Sequence, residues 1–178
     1  MKKKVLLLII MTLFLVGCSK VSYRYREFIK NNDYNISVEV PRNWEAIKSD
    51  ADVDTGEYDN SLNLSHEKSS ANISANMTEI INSKDYEIKY FKKQAKEVKK
   101  QNKTTTDVEE KQVGLYTVYY YKYNEDNFEN IDCLVFIDKK ECIQISGYAN
   151  LDENIKSDDI RKDIFRLINS IIIEEENT

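Results

Sequence analysis

From Tyr34 to Val40 apolar and polar residues alternate, with Ile36, Val38 and Val40 on one face and Asn35, Ser37 and Glu39 on the other. A period of two predicts a half-buried strand, and Pro41 ends it because it lacks the amide donor a ladder needs. Tyr23 to Ile29 predicts a preceding strand, turned at Lys30-Asn31-Asn32-Asp33. Ser61 to Ser65 and Ala71 to Thr78 read as two more, with Glu67 to Ser70 between them. The period then lengthens. Ile88, Phe91, Ala95 and Val98 fall at helical spacing behind Asn82-Ser83, a capping pair, with Asp85 and Glu87 in the first turn, where the helix dipole favours acids. Gln112 to Tyr123 carries bulk on both faces and reads as one central strand. Ile131 to Ile137 and Cys142 to Tyr148 read as a hairpin turning near Asp138 to Glu141. Ser157 predicts the cap of a last helix, whose apolar stripe is Ile160, Ile164, Leu167, Ile168 and Ile171. The order is strands, helix, strands, helix. It predicts a single α+β domain, an antiparallel sheet covered by helices, over residues 22–173, followed by a solvated acidic tail at 174–178.

The start of the chain follows another pattern. Lys2, Lys3 and Lys4 precede an apolar run from Val5 to Val16, which is too short to span a bilayer as a helix, and Leu15-Val16-Gly17-Cys18 closes it. Those four residues resemble the lipobox of bacterial lipoproteins. The resemblance implies a signal peptide at 1–17, a palmitate-type acyl anchor on Cys18, a tether at 18–21 and a location on the extracytoplasmic face of the cell membrane. Cleavage would remove three lysines and no acid, so a chain already at −5 becomes more acidic. That balance argues against nucleic acid as a partner, which calls for a basic footprint. A two-residue turn at Lys139-Lys140 would set Cys142 opposite Ile137 and Cys133 opposite Ser146. In that register the two thiols are too far apart to bridge and stay free.

Tyr34-Asn35-Ile36-Ser37-Val38-Glu39-Val40-Pro41-Arg42-Asn43-Trp44, a following helix, a tyrosine-rich strand, a long hairpin and a last helix ending Leu167-Ile168-Asn169-Ser170-Ile171 together resemble the PsbP-like superfamily. That family also takes in Mog-type nuclear factors and many small bacterial lipoproteins. The resemblance implies an α/β/α sandwich and an adaptor or accessory role, and it carries no shared catalytic residues.

Residue chemistry narrows the function further. His66 is the one histidine, and Ser65-His66-Glu67 reads as a polar surface patch with neither a nucleophile nor a metal-ligand pair beside it. No catalytic set and no cofactor motif is visible, so a non-enzymatic protein is expected. Asp50, Asp52 and Asp54 fall at the first, third and fifth positions of a calcium loop, but the glycine comes at the seventh place and Ser61 stands at the twelfth. A solvated acidic loop is the better reading. Lys89, Lys92, Lys93, Lys96, Lys99 and Lys100 lie largely opposite the first helix's apolar stripe. They read as a solvated face in preference to a contact with anionic lipid or wall polymer. Trp44 is expected to close one end of the core, with ligand contact as its alternative. Tyr123 and Tyr148, near strand ends, are expected to border a cleft. The resulting expectation is an anchored interaction domain for an envelope protein or a wall component. The alternative is a small-ligand or sugar-binding lipoprotein serving a transporter.

Overall fold

The computed structural model describes residues 23–30, 34–47, 61–153 and 155–175. Within these residues ten strands and two helices follow one another as β1 (Tyr23–Lys30), β2 (Tyr34–Pro41), β3 (Trp44–Ala46), β4 (Ser61–His66), β5 (Asn72–Glu79), α1 (Lys84–Gln101), β6 (Glu109–Val113), β7 (Tyr116–Glu125), β8 (Phe128–Phe136), β9 (Glu141–Asn150), α2 (Ser157–Asn169) and β10 (Ile172–Glu175). Seven strands form one antiparallel sheet in the order β3-β4-β5-β9-β8-β7-β6, and three form a small sheet, β1-β2-β10. The expected α+β architecture is the observed one.

Side-chain alternation sends each strand's residues to opposite faces of the large sheet. Leu62, Leu64, Ile73, Ala75, Ile131, Val135, Ile143 and Ile145 point to the first face. There α2 lays down Ile160, Ile164, Leu167 and Ile168, and the small sheet adds Ile36, Val38 and Val40. Gly147 of β9 allows that approach, since a Cβ there would stand 2.7 Å from Ile160 Cγ2. Trp44 seals one edge at 1% exposure. Its indole N–H donates to Asp163 Oδ2 at 3.0 Å, and its ring meets His66 edge-on at 5.2 Å. Ser170, at the end of α2, accepts from the amide of Glu39 at 2.8 Å and so ties the helix to β2.

The second face is covered only in part. Phe91 and Ala95 of α1 bury Tyr121, Leu134, Phe136 and Cys142. Ser83 caps this helix as expected, accepting from the amide of Tyr86 at 3.2 Å.

Four local readings are corrected. Gln112 to Tyr123 is not one strand, because Gly114 (φ +58°) and Leu115 make a two-residue hairpin turn, β6 ending before it and β7 beginning after it. Glycine first is the pattern of a type II′ turn, whose twist suits flanking strands. In the β8–β9 hairpin, Asp138 Oδ1 accepts from the amides of both Lys140 and Glu141, lengthening the turn and moving the register by one. Cys142 therefore pairs with Phe136, and Cys133 with Ile145. A slip of one residue exchanges faces, so the two free thiols lie on opposite sides of the sheet. The cap of α2 falls on Lys156, with no side-chain cap bond, and not on Ser157. Finally, Glu174 and Glu175 do not begin a tail, since β10 carries them onto β2 opposite Asn35 and Tyr34.

Candidate functional site

Beyond the edge of α1 the second face of the sheet lies open. Its residues are Ser61, Asn63 and Ser65 from β4, Asn72, Ser74, Asn76 and Thr78 from β5, and Gln144, Ser146 and Tyr148 from β9. None of these ten is charged in a chain that is 32% charged, and the same face carries Glu45 beside Ser65 and Asp132 beside Ser146. Strand spacing puts such side chains about 4.8 Å apart across the sheet and about 6.7 Å apart along a strand. The result is a lattice of hydroxyls and amides, each able both to donate and to accept.

Where this lattice meets α1 there is a cleft of about 540 Å³. Tyr90, Phe91, Lys93, Gln94 and Glu97 form its wall, and Tyr121, Asp132, Gln144 and Ser146 its floor. Asp132 accepts from Ser146 Oγ at 2.8 Å. Burial, and then the neighbouring Asp132, hold the Tyr121 hydroxyl far above the usual tyrosine range, so it stays protonated as a donor. The Tyr121 ring tilts against Phe91 at 5.2 Å and stacks on Tyr123 at 5.8 Å. Burial pushes the Tyr123 hydroxyl up to about 12. A second hollow of about 260 Å³, lined by Glu125, Asp126, Phe128, Asn130 and Tyr148, continues the floor, because Asn130 pairs with Tyr148 as Asp132 pairs with Ser146. Tyr148 packs edge-on against Phe128 at 5.3 Å and stays partly exposed.

The residues singled out from sequence divide accordingly. Tyr123 and Tyr148 share this face: Tyr148 lines the second hollow, and Tyr123 stacks on Tyr121. Trp44 does not: it is enclosed on the opposite face, so its ligand-contact alternative is overturned by its burial. His66 Nδ1 accepts from the amide of Lys68 at 3.2 Å and lies 3.0 Å from Ser69 Oγ, so it organises the β4–β5 turn. Burial lowers its pKa, against the opposing pull of Asp163. Cys18 and the aspartates at 50, 52 and 54 lie outside the described residues. Among the described residues no cluster of His, Cys, Asp or Glu is placed to hold a metal, and no helix is long and apolar enough to cross a membrane.

Sequence reasoning missed Tyr90, Asp132, Gln144, Ser146 and the polar rows of β4 and β5. The signal was present in the period of two. Over 61–65 and 72–78 every second residue is apolar, and those between are Asn, Ser or Thr where Lys and Glu would be the ordinary surface choice. A separate feature sits at the far end of the sheet, where Leu115 is 91% exposed beside a hollow of about 530 Å³ that also takes in Ile88, Ile137 and Ile173.

No family model matches the chain, and no curated protein matches it. Among solved structures it is similar to LpqN of Mycobacterium tuberculosis, a protein described as involved in cell envelope biogenesis. The two share 12% identity over 84% of this chain and 90% of that one, with a TM-score of 0.56. A protein of Bacteroides thetaiotaomicron VPI-5482 aligns at 12% identity over 79% of this chain and 46% of that one, with a TM-score of 0.46. At such identity the likeness to LpqN is one of α+β fold.

Proposed function

We propose that this chain is a non-enzymatic envelope lipoprotein that holds a neutral carbohydrate of the cell envelope in the cleft beside α1 and along the Asn- and Ser-rich sheet face. The observation that carries the reading is that face. A hydroxyl-rich ring needs donors and acceptors at short, regular spacing, a carboxylate such as Asp132 among them, and aromatic edges to cover its apolar side. Gln144, Ser146 and Asp132 supply the first, and Tyr90 and Tyr121 the second. The cleft is open along one side, which suits a segment of a polymer better than an enclosed small molecule. The PsbP-like resemblance, which runs over residues 22–173, and the fold shared with LpqN fit an accessory role in the envelope.

Calorimetry of the protein with neutral tetrasaccharides, chitotetraose and cellotetraose among them, tests this. Binding should weaken about tenfold, or 1.4 kcal/mol, in Gln144→Ala and in Tyr90→Ala, and absence of binding up to about 10 mM would defeat the proposal. Anchoring at Cys18 belongs to the same reading. Cys18→Ala should release the protein from membranes or leave it uncleaved, and a wild-type mass without acyl addition would exclude it.

The exposed Leu115 end supports a second reading, in which an envelope protein docks there. Crosslinking in intact cells from a Leu115→Cys variant would capture that partner, and a Leu115→Cys variant that captures nothing would retire it.

A further inference from the structure

The two flanks of α1 differ in chemistry. At 3.6 residues per turn, Lys89, Lys92, Lys93, Lys96, Lys99 and Lys100 fall within one arc of about 120°. Tyr86, Tyr90, Gln94 and Glu97 take the other flank, on the side of the carbohydrate cleft. The helix holds seven lysines against three acids in a chain whose overall charge is −5. Below the basic flank runs a separate groove of about 170 Å³, into which Lys92, Lys96 and Lys99 converge beside Thr106 and Asp107. Lys99 is paired with Asp107 at 2.7 Å, and Lys100 with Glu97 at 2.8 Å. Lys92 lies over the Tyr119 ring at 5.8 Å. Lys89, Lys93 and Lys96 have no ion-pair partner among the described residues.

We infer that this flank and its groove bind a linear polyanion outside the membrane, a polymer with a phosphate or carboxylate in each short repeat. Successive lysines at i, i+4 and i+7 advance about 5–6 Å along the helix axis, so a repeating anion is met group by group. The acidic remainder of the domain confines such a polymer to this strip.

Geometry favours the polymer over the bilayer as the anion's source. The small sheet that begins with β1 and the helix α1 lie on opposite faces of the large sheet. Packed layers stand about 10 Å apart, which puts the basic flank about 20 Å from β1. Between Cys18 and Tyr23 the chain reaches at most about 3.5 Å per residue. An anchor at Cys18 therefore holds the membrane on the β1 side, and the lysines look away from it. This choice of source rests on the anchoring proposed above, whereas polyanion binding itself does not.

The test uses the full chain reconstituted into phosphatidylcholine vesicles, with and without about 30% phosphatidylglycerol, in about 0.1 M salt, where screening extends about 10 Å. Inorganic polyphosphate is the probe. It should bind equally on both vesicles and weaken steeply as salt is raised. The triple variant Lys92→Gln, Lys96→Gln, Lys99→Gln should lose at least about tenfold in affinity, and the equal charge change Lys139→Gln, Lys140→Gln, Lys156→Gln less than about twofold. Asp107→Asn, which frees Lys99, should tighten binding, a gain that misfolding cannot mimic. Failure of polyphosphate to bind, equal losses in the two triple variants, or no gain from Asp107→Asn would overturn the site. Binding lost only on the phosphatidylglycerol vesicles would overturn the polymer and assign the flank to lipid headgroups.

Discussion

The two faces of the seven-stranded sheet are made by the same strands and end differently. On one, α2 and the small sheet leave almost nothing open, and even a missing side chain at Gly147 is used as packing space. On the other, α1 covers only the β7-β8-β9 portion and leaves β4, β5 and the outward row of β9 to solvent. The first face is where the fold's stability is concentrated, and its residues are set by fit. The second is where the molecule has room for a partner, and its residues are set by chemistry.

Breaking the closed face should cost most. Trp44→Ala removes a buried indole and orphans its bond to Asp163, and should destabilise by about 3–5 kcal/mol in urea unfolding. A variant with unchanged stability would place Trp44 outside the core. Gly147→Ala drives a methyl into Ile160 and should cost about 1–3 kcal/mol. Its neighbour Ser146→Ala, facing the other way, should stay within about 0.5 kcal/mol while weakening saccharide binding. If Ser146→Ala proves the more destabilising of the two, the faces have been assigned wrongly.

The cysteines report on the same contrast from within. Burial pushes the Cys142 thiol up to about 11 and the Cys133 thiol further, so neither should be alkylated in the folded protein at neutral pH. As urea rises below the main transition, Cys142 under α1 should label before Cys133, because the thinner layer opens first. Simultaneous labelling would mean that the two layers unfold as one unit.

The smallest effect is that of pH. His66 has a folded-state pKa below its unfolded value, chiefly through burial. The unfolded chain therefore binds the extra proton first on acidification. Stability from this group is complete above about pH 6.5 and declines as pH falls toward the folded-state value. Melting temperatures between pH 7.5 and 5 should show this decline in the wild type and a flatter profile in His66→Gln. Glu153 and Asp158, whose pKa values are lowered by hydrogen bonds from Ser70 and Lys122 respectively, lose their contributions only at more acidic pH.

Much of this architecture was legible along the chain. Strands with a clean period of two, such as Tyr34 to Val40, and helices with full apolar stripes were placed to within a residue or two, because burial of one face dictates them locally. The misreadings came where a backbone detail outweighs the side-chain pattern. Gly114 turns the chain inside an apparently continuous strand, and Asp138 lengthens a turn and moves a register. β10 was hidden because Ile172–Glu175 is too short to show a pattern and is fixed only by β2, which lies far away in sequence. The cleft was harder still. Its floor comes from three strands and its wall from α1, and no segment taken alone reveals that they converge. What could be read was the choice of Asn and Ser over Lys and Glu in β4 and β5.

The pairing of Ile172 with Ser37 has a consequence for the order in which the molecule is made. β2 leaves the ribosome just after β1 and can pair with it at once, but its other edge waits for β10, which follows all of the large sheet and both helices. Contacts so distant in sequence are slow to close, and an incomplete chain exposes the unpaired edge of β2 meanwhile. The large sheet can be fully assembled while the small sheet still lacks its third strand. A chain cut between α2 and β10 would then keep its cleft and present a raw strand edge, a template for self-association.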